Sequence, residues 1–185
     1  MKIKHGFTLI ELLIVIAILG ILISIAIPNI QQTMPRYERE TFIARLNALM
    51  QLSWQHAVTT HKIHRISFNL GKNNVHLDVQ TDKYEKTGEP KFEPLKQVYL
   101  KTSLVIPDTI DIKNFFIEGF DEMTRFAEGR KTTEIWFFMV PEGLTQEVTI
   151  NFFDKKDRQA GKPKPFSLVL NPFNAQFKTY DTFQK

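Results

Sequence analysis

Four groups of residues in this 185-residue chain have the type and spacing to do chemistry. Glu11 is a carboxylate set inside an otherwise apolar run, where a charge at depth in lipid costs roughly 2.5 kcal/mol or more. His56, His61, His64 and His76 invite a metal reading, and His61 and His64 stand three apart. There is no HExxH pattern and no cysteine, and a helix-to-strand change near residue 62 would separate that pair, so the four read as surface or core histidines with no metal site. Asp154 and Asp157 suggest a calcium loop, yet Lys155, Lys156 and Arg158 among them repel a divalent cation. Lys155, Lys156, Arg158, Lys162 and Lys164 could contact phosphates. The two aspartates dilute that charge and no aromatic side chain interleaves with it, so nucleic acid is not expected as a partner. No phosphate loop and no GxSxG elbow occurs, and neither a cofactor nor an enzymatic activity is expected.

The segments that would position these groups follow from the hydrophobic pattern. From Phe7 to Ile27 the only charge is Glu11 and the only hydroxyls are Thr8 and Ser24. A helix over that run spans roughly 30 Å, one bilayer core. Lys2 and Lys4 precede it, so the positive-inside bias places the amino terminus in the cytoplasm and the remainder outside. Gly20 and Ser24, four apart, read as ordinary variation in an apolar helix rather than a close-approach face. A cleaved secretory signal or a plain anchor would share the basic start and the apolar run, but neither explains Glu11.

Beyond Pro28 the chain turns polar, and Pro28 and Pro35 are candidate kink positions. Helical spacing then resumes with Phe42, Leu46, Leu49, Met50, Ser53 and Ala57 on one face, an amphipathic helix to about residue 62. Met50 and Trp54 read as core or rim. The period then changes to two. Ile63 to Leu70, the turn Gly71-Lys72-Asn73-Asn74 and Val75 to Val79 make a hairpin. Further strands are expected at 98–102, 111–117, 134–140, 147–153, 166–170 and 175–180, with loops at 82–96 and 154–165. One long helix followed by seven or eight antiparallel strands is an α+β plan.

Composition sets outer limits. Hydrophobic residues make up 43% and Phe occurs 16 times, so the bulk of the chain can bury a core. The net charge is +4; without Lys2 and Lys4 it falls to +2, too little to argue for a polyanionic partner. With no cysteine, a disulfide framework is excluded.

Gly6-Phe7-Thr8-Leu9-Ile10-Glu11, behind a short basic leader and ahead of an apolar run ending at Pro28, resembles the prepilin processing signature of type IV pilins and type II secretion pseudopilins. The resemblance implies a pilin-like fold: a long amino-terminal helix, membrane-spanning in its first half, packed on a carboxy-terminal antiparallel sheet or sandwich. It implies a cytoplasmic leader at 1–6, a transmembrane and filament-core helix at 7–27, an amphipathic continuation at 28–62 and a periplasmic β-rich domain at 63–185. Gly6 would be the last leader residue and Phe7 the mature, N-methylated terminus after cutting by the prepilin peptidase. Glu11 would set register, since the new amino group of Phe7 on a shifted neighbouring helix can pair with its carboxylate in low dielectric.

The second half is similar to the H-type minor pseudopilins and the FimT-like minor pilins, through Leu46-x-x-Leu49-x-x-Leu52-x-x-x-His56-Ala57, the strand pair after it, Glu134-Ile-Trp-Phe-Phe-Met-Val-Pro-Glu-Gly143 and the closing strands at 166–180. An Asn-Pro-Phe-Asn turn replaces the usual Thr-Gly, and the 82–130 insert is long. The implied function is a minor pseudopilin of a type II secretion system in the bacterial inner membrane, entering the periplasmic pseudopilus near its tip to support protein export. The alternative is a minor type IV pilin in pilus assembly, DNA uptake or adhesion. Implied partners are the prepilin peptidase, other pilins or pseudopilins, and an inner-membrane assembly platform.

Overall fold

The computed structural model describes residues 9–96, 101–125, 133–159 and 161–185. Gly6 and Phe7 lie outside them. The chain divides into two compact units, Met1–Tyr37 and Glu38–Lys185.

One helix, α1 (Leu9–Thr60), runs through both units and continues across Pro28 and Pro35. In the first unit its large apolar side chains from Leu9 to Ile23 are exposed on every side, Leu9 at 78% and Ile21 at 61%. No helix among the described residues is long and apolar enough to cross a membrane. The stretch whose side chains are described, 9–24, is shorter than the roughly 20 residues a span takes, and the apolar run of the sequence extends past it on both sides.

In the second unit α1 carries a buried stripe, Phe42, Leu46, Leu49, Met50, Ser53 and Ala57, spaced so that each side chain falls on one face. Ten strands follow among the described residues: β1 (His64–Asn69), β2 (Asn74–Tyr84), β3 (Pro90–Pro94), β4 (Ser103–Val105), β5 (Ile110–Ile117), β6 (Phe120–Asp121), β7 (Glu134–Met139), β8 (Val148–Gln159), β9 (Lys162–Asn171) and β10 (Gln176–Tyr180). A one-turn helix, α2 (Glu122–Arg125), separates β6 from β7. Two antiparallel sheets result, the first ordered β3-β2-β1-β7 with β4 also on β2, the second β10-β9-β8-β5-β6. The architecture is α+β.

Alternation along each strand sends every second side chain into one shared core. Ile66 and Phe68, Ile135, Phe137 and Met139, Ile150 and Phe152, and Phe166, Leu168 and Leu170 are all buried there. Phe68 of the first sheet meets Phe115 of the second edge-on at 5.1 Å, and Phe42 of α1 meets Phe152 at 6.4 Å. The helix stripe and both sheets therefore close one core.

Two expected loops are strands. Within 82–96, β2 extends to Tyr84 and β3 pairs back on it, from Tyr84↔Pro90 to Asp78↔Pro94. Its prolines stand at the ends of an edge strand, where a missing donor is tolerated, and its charged residues suit an exposed edge. The 154–165 segment is a hairpin: β8 and β9 pair from Thr149↔Val169 out to Gln159↔Lys162, with a register shift between Asp154 and Arg158. Lysine, aspartate and proline argue for a loop, but the outer part of the ribbon is exposed to water and has no need of apolar alternation, while Asp154 at its base is buried. The strand expected at 98–102 falls partly on undescribed residues, and the described strand there is β4.

Candidate functional site

The sequence directs attention first to α1. Glu11 lies in the exposed first part of the helix, among apolar side chains that are exposed within the described residues. Exposing that much contiguous apolar surface on all sides of a helix is costly in water, so a lipid or protein environment is required.

On the second unit, the histidines separate. His61, at the end of α1, takes a left-handed conformation with φ of 54°. His64 turns instead toward His56, whose Nδ1 is 2.7 Å from its Nε2. His64 is fully buried, and that burial holds its pKa down at about 4; desolvation lowers His56 as well. His76 lies on the other side of β2's pairing, 3.5 Å from Asp78 and 3.4 Å from Glu134. Among the described residues no cluster of three or more histidines and carboxylates is placed to hold a metal ion.

Asp154 is likewise buried. One of its oxygens accepts the amides of Lys156 and Asp157 at 3.0 and 2.9 Å. The other lies 3.7 Å from Arg39, whose guanidinium is also 3.6 Å from Asp157 and stacks 5.3 Å over Phe166. A guanidinium from α1 thus occupies the ground between the two aspartates. The basic residues of the same hairpin are largely matched: Lys155 sits 2.8 Å from Asp111, Lys156 3.7 Å from Glu38 and Lys164 3.3 Å from Asp181. Arg158 and Lys162 remain exposed, a thin basis for phosphate binding.

The sequence reading missed the outer face of the first sheet. Arg65 donates to Asp78 at 2.9 Å and lies between the rings of Phe92 and Trp136, 4.8 and 5.6 Å from their centroids. Asp78 also accepts from Ser67, at 3.3 Å. Arg65 and Asp78 are direct cross-strand partners, so the hairpin register carried the signal for that pair. Phe92 was hidden because β3 reads as loop.

Comparison with known proteins bears on both units. The prokaryotic N-terminal methylation motif is matched over residues 1–27. Two fimbrial proteins of Pseudomonas aeruginosa are each 49% identical over 49 residues, 26% of this chain and 32% of theirs. The chain therefore spans about a third of the length of the curated relatives it matches. Two structures of the minor pseudopilin EpsH from the type II secretion system of Vibrio cholerae share the fold. Both have a TM-score of 0.52 and cover 80% of this chain; they cover 99% and 96% of EpsH at 10% and 11% identity. The amino terminus thus carries the methylation motif, and the fold is pilin-like. Within the described residues the motif overlaps the apolar start of α1 from Leu9, and the fold likeness rests on the helix-and-two-sheet architecture.

Proposed function

We propose that this pilin-like chain is a minor pseudopilin, made as a precursor, cut after Gly6 by a prepilin peptidase, N-methylated on Phe7 and built into a type II secretion pseudopilus near its tip. The carrying observation is the helix whose apolar side chains face outward all round from Leu9 to Ile23, within the stretch that matches the methylation motif. Lipid covers such a surface before assembly, with residues 7–27 spanning the inner membrane, amino terminus inside. Neighbouring subunit helices cover it in the filament. The carboxylate of Glu11 then pairs with the Phe7 amine of an adjacent subunit, and the cost of leaving it in hydrocarbon favours assembly over the free state. Pro28 and Pro35 adjust the helix between span and head. The head contributes surfaces rather than catalysis, and the other partners are the major and minor subunits and an inner-membrane assembly platform.

The EpsH-like fold favours the secretion machine. The P. aeruginosa fimbrial relatives favour the second reading, a minor subunit of a type IV pilus. Intact mass and amino-terminal sequence of the full-length protein, expressed with and without a prepilin peptidase, test the shared part of both. The expected result is a peptidase-dependent start at methylated Phe7. An uncut chain in both cases, or a start after Ala26, overturns it.

A further inference from the structure

A groove of about 750 Å³ runs along α1 beside β4, lined by Arg45, Leu49 and Leu52 on the helix and by Asn74, Lys101 and Leu104 on the sheet side. Arg45, Ala48, Leu49 and Leu52 are one helical stripe, so the helix wall is continuous. The strand wall is an open edge. Leu77 donates to the Thr102 carbonyl and Ile106 to the Asn73 carbonyl, and along an antiparallel ladder the groups alternate sides. Ser103 and Val105 therefore aim their N–H and C=O groups away from β2, and among the described residues no strand pairs with β4 on that side. Val105 is 73% exposed.

Two further observations define what fits there. Arg45 and Lys101 are both exposed cations, and among the described residues no carboxylate lines the groove. We propose that this groove accepts an extended, acidic segment of a partner protein, added as a strand along β4. Its backbone pairs with Ser103 and Val105. Its apolar side chains on one face pack on Leu49, Leu52 and Leu104, and its carboxylates meet Arg45 and Lys101. This is strand addition at a sheet edge, in which backbone bonds supply affinity and the flanking side chains supply selectivity. The proposal stands on the head's geometry and does not require the secretion reading.

The test uses the full-length chain in lipid nanodiscs and a fluorescent, acetylated hexapeptide of alternating Glu and Val. The expected result is saturable binding, at least ten-fold weaker for the Lys and Val counterpart. It is also at least ten-fold weaker for the acidic peptide N-methylated along its backbone, and for the Arg45→Glu, Lys101→Glu double variant. No saturable binding of the acidic peptide overturns the proposal, as does equal binding of the two charge forms. Undiminished binding of the N-methylated peptide overturns strand addition without any change to the protein. Undiminished binding by a double variant with an unchanged melting curve overturns the role of the two cations.

Discussion

His56 and His64 form a directed pair, 2.7 Å apart between Nδ1 and Nε2, that ties the last turns of α1 to the first residue of β1. The direction follows from the next bond along. Nδ1 of His64 is 2.9 Å from the Lys62 carbonyl, which can only accept, so His64 carries its proton on Nδ1 and presents a bare Nε2. His56 must then donate from its own Nδ1. A proton added to Nε2 of His64 removes that acceptor and reverses the bond, which then requires His56 to carry its own proton on Nε2.

Loss of stability at acid pH is the first expected outcome. With the His64 pKa held by burial near 4 against an ordinary 6.5, the unfolded chain binds the proton first. The pair's contribution is full above pH 6.5 and drains away as pH falls to 4, by about 3 kcal/mol at most. The other charges around the site are Lys62, Asp82 and Lys83, with Lys62 and Asp82 3.4 Å apart. Melting curves recorded between pH 7 and 4 should show the fall, and His64→Gln should flatten it. An equally steep fall in that variant removes His64 as the cause.

Gly143 should resist substitution. Its φ is 79° and an added Cβ would stand 2.9 Å from Nε1 of Trp54, the same nitrogen that donates to the Gly143 carbonyl at 2.9 Å. Gly143→Ala combines left-handed strain with displacement of the indole, and a loss of about 1–3 kcal/mol is expected. Gly161→Ala is the control, since φ is 78° there but nothing lies within 4 Å. Urea unfolding followed by tryptophan fluorescence should rank Gly143→Ala as clearly the worse.

Arg39→Ala should be among the most damaging head substitutions. It removes the guanidinium that faces the buried Asp154 carboxylate and covers Phe166, and breaking one partner of a buried pair typically costs about 3–5 kcal/mol. A second change, Asp154→Asn, removes the stranded charge and should return part of the loss. Equal unfolding midpoints for the single and double variants would show that Arg39 acts through its packing on Phe166 alone.

Glu11→Ala tests the register role. Membrane insertion and peptidase cutting should be normal, with incorporation into filaments strongly reduced, read by crosslinking of subunits in intact cells. Wild-type incorporation would remove the pairing with the Phe7 amine from the mechanism.

What the sequence alone determined is local in kind. The amino-terminal signature is a contiguous string beside a hydrophobic run, and neither needs a partner to be recognised. The buried stripe from Phe42 to Ala57 and the β1–β2 hairpin were legible for the same reason, since helical and strand periodicities act between neighbours in the chain. Tertiary structure decided what depends on distant residues. The charged 154–165 hairpin is held by Arg39 from α1, more than a hundred residues earlier, and β3 exists because β2 offers it an edge. His56 meets His64 because the left-handed turn at His61 reverses the chain, and the groove beside β4 arises only when that strand docks opposite the helix. Pairing and burial at long range are set by which surfaces close over one another, and no short window of sequence contains both surfaces.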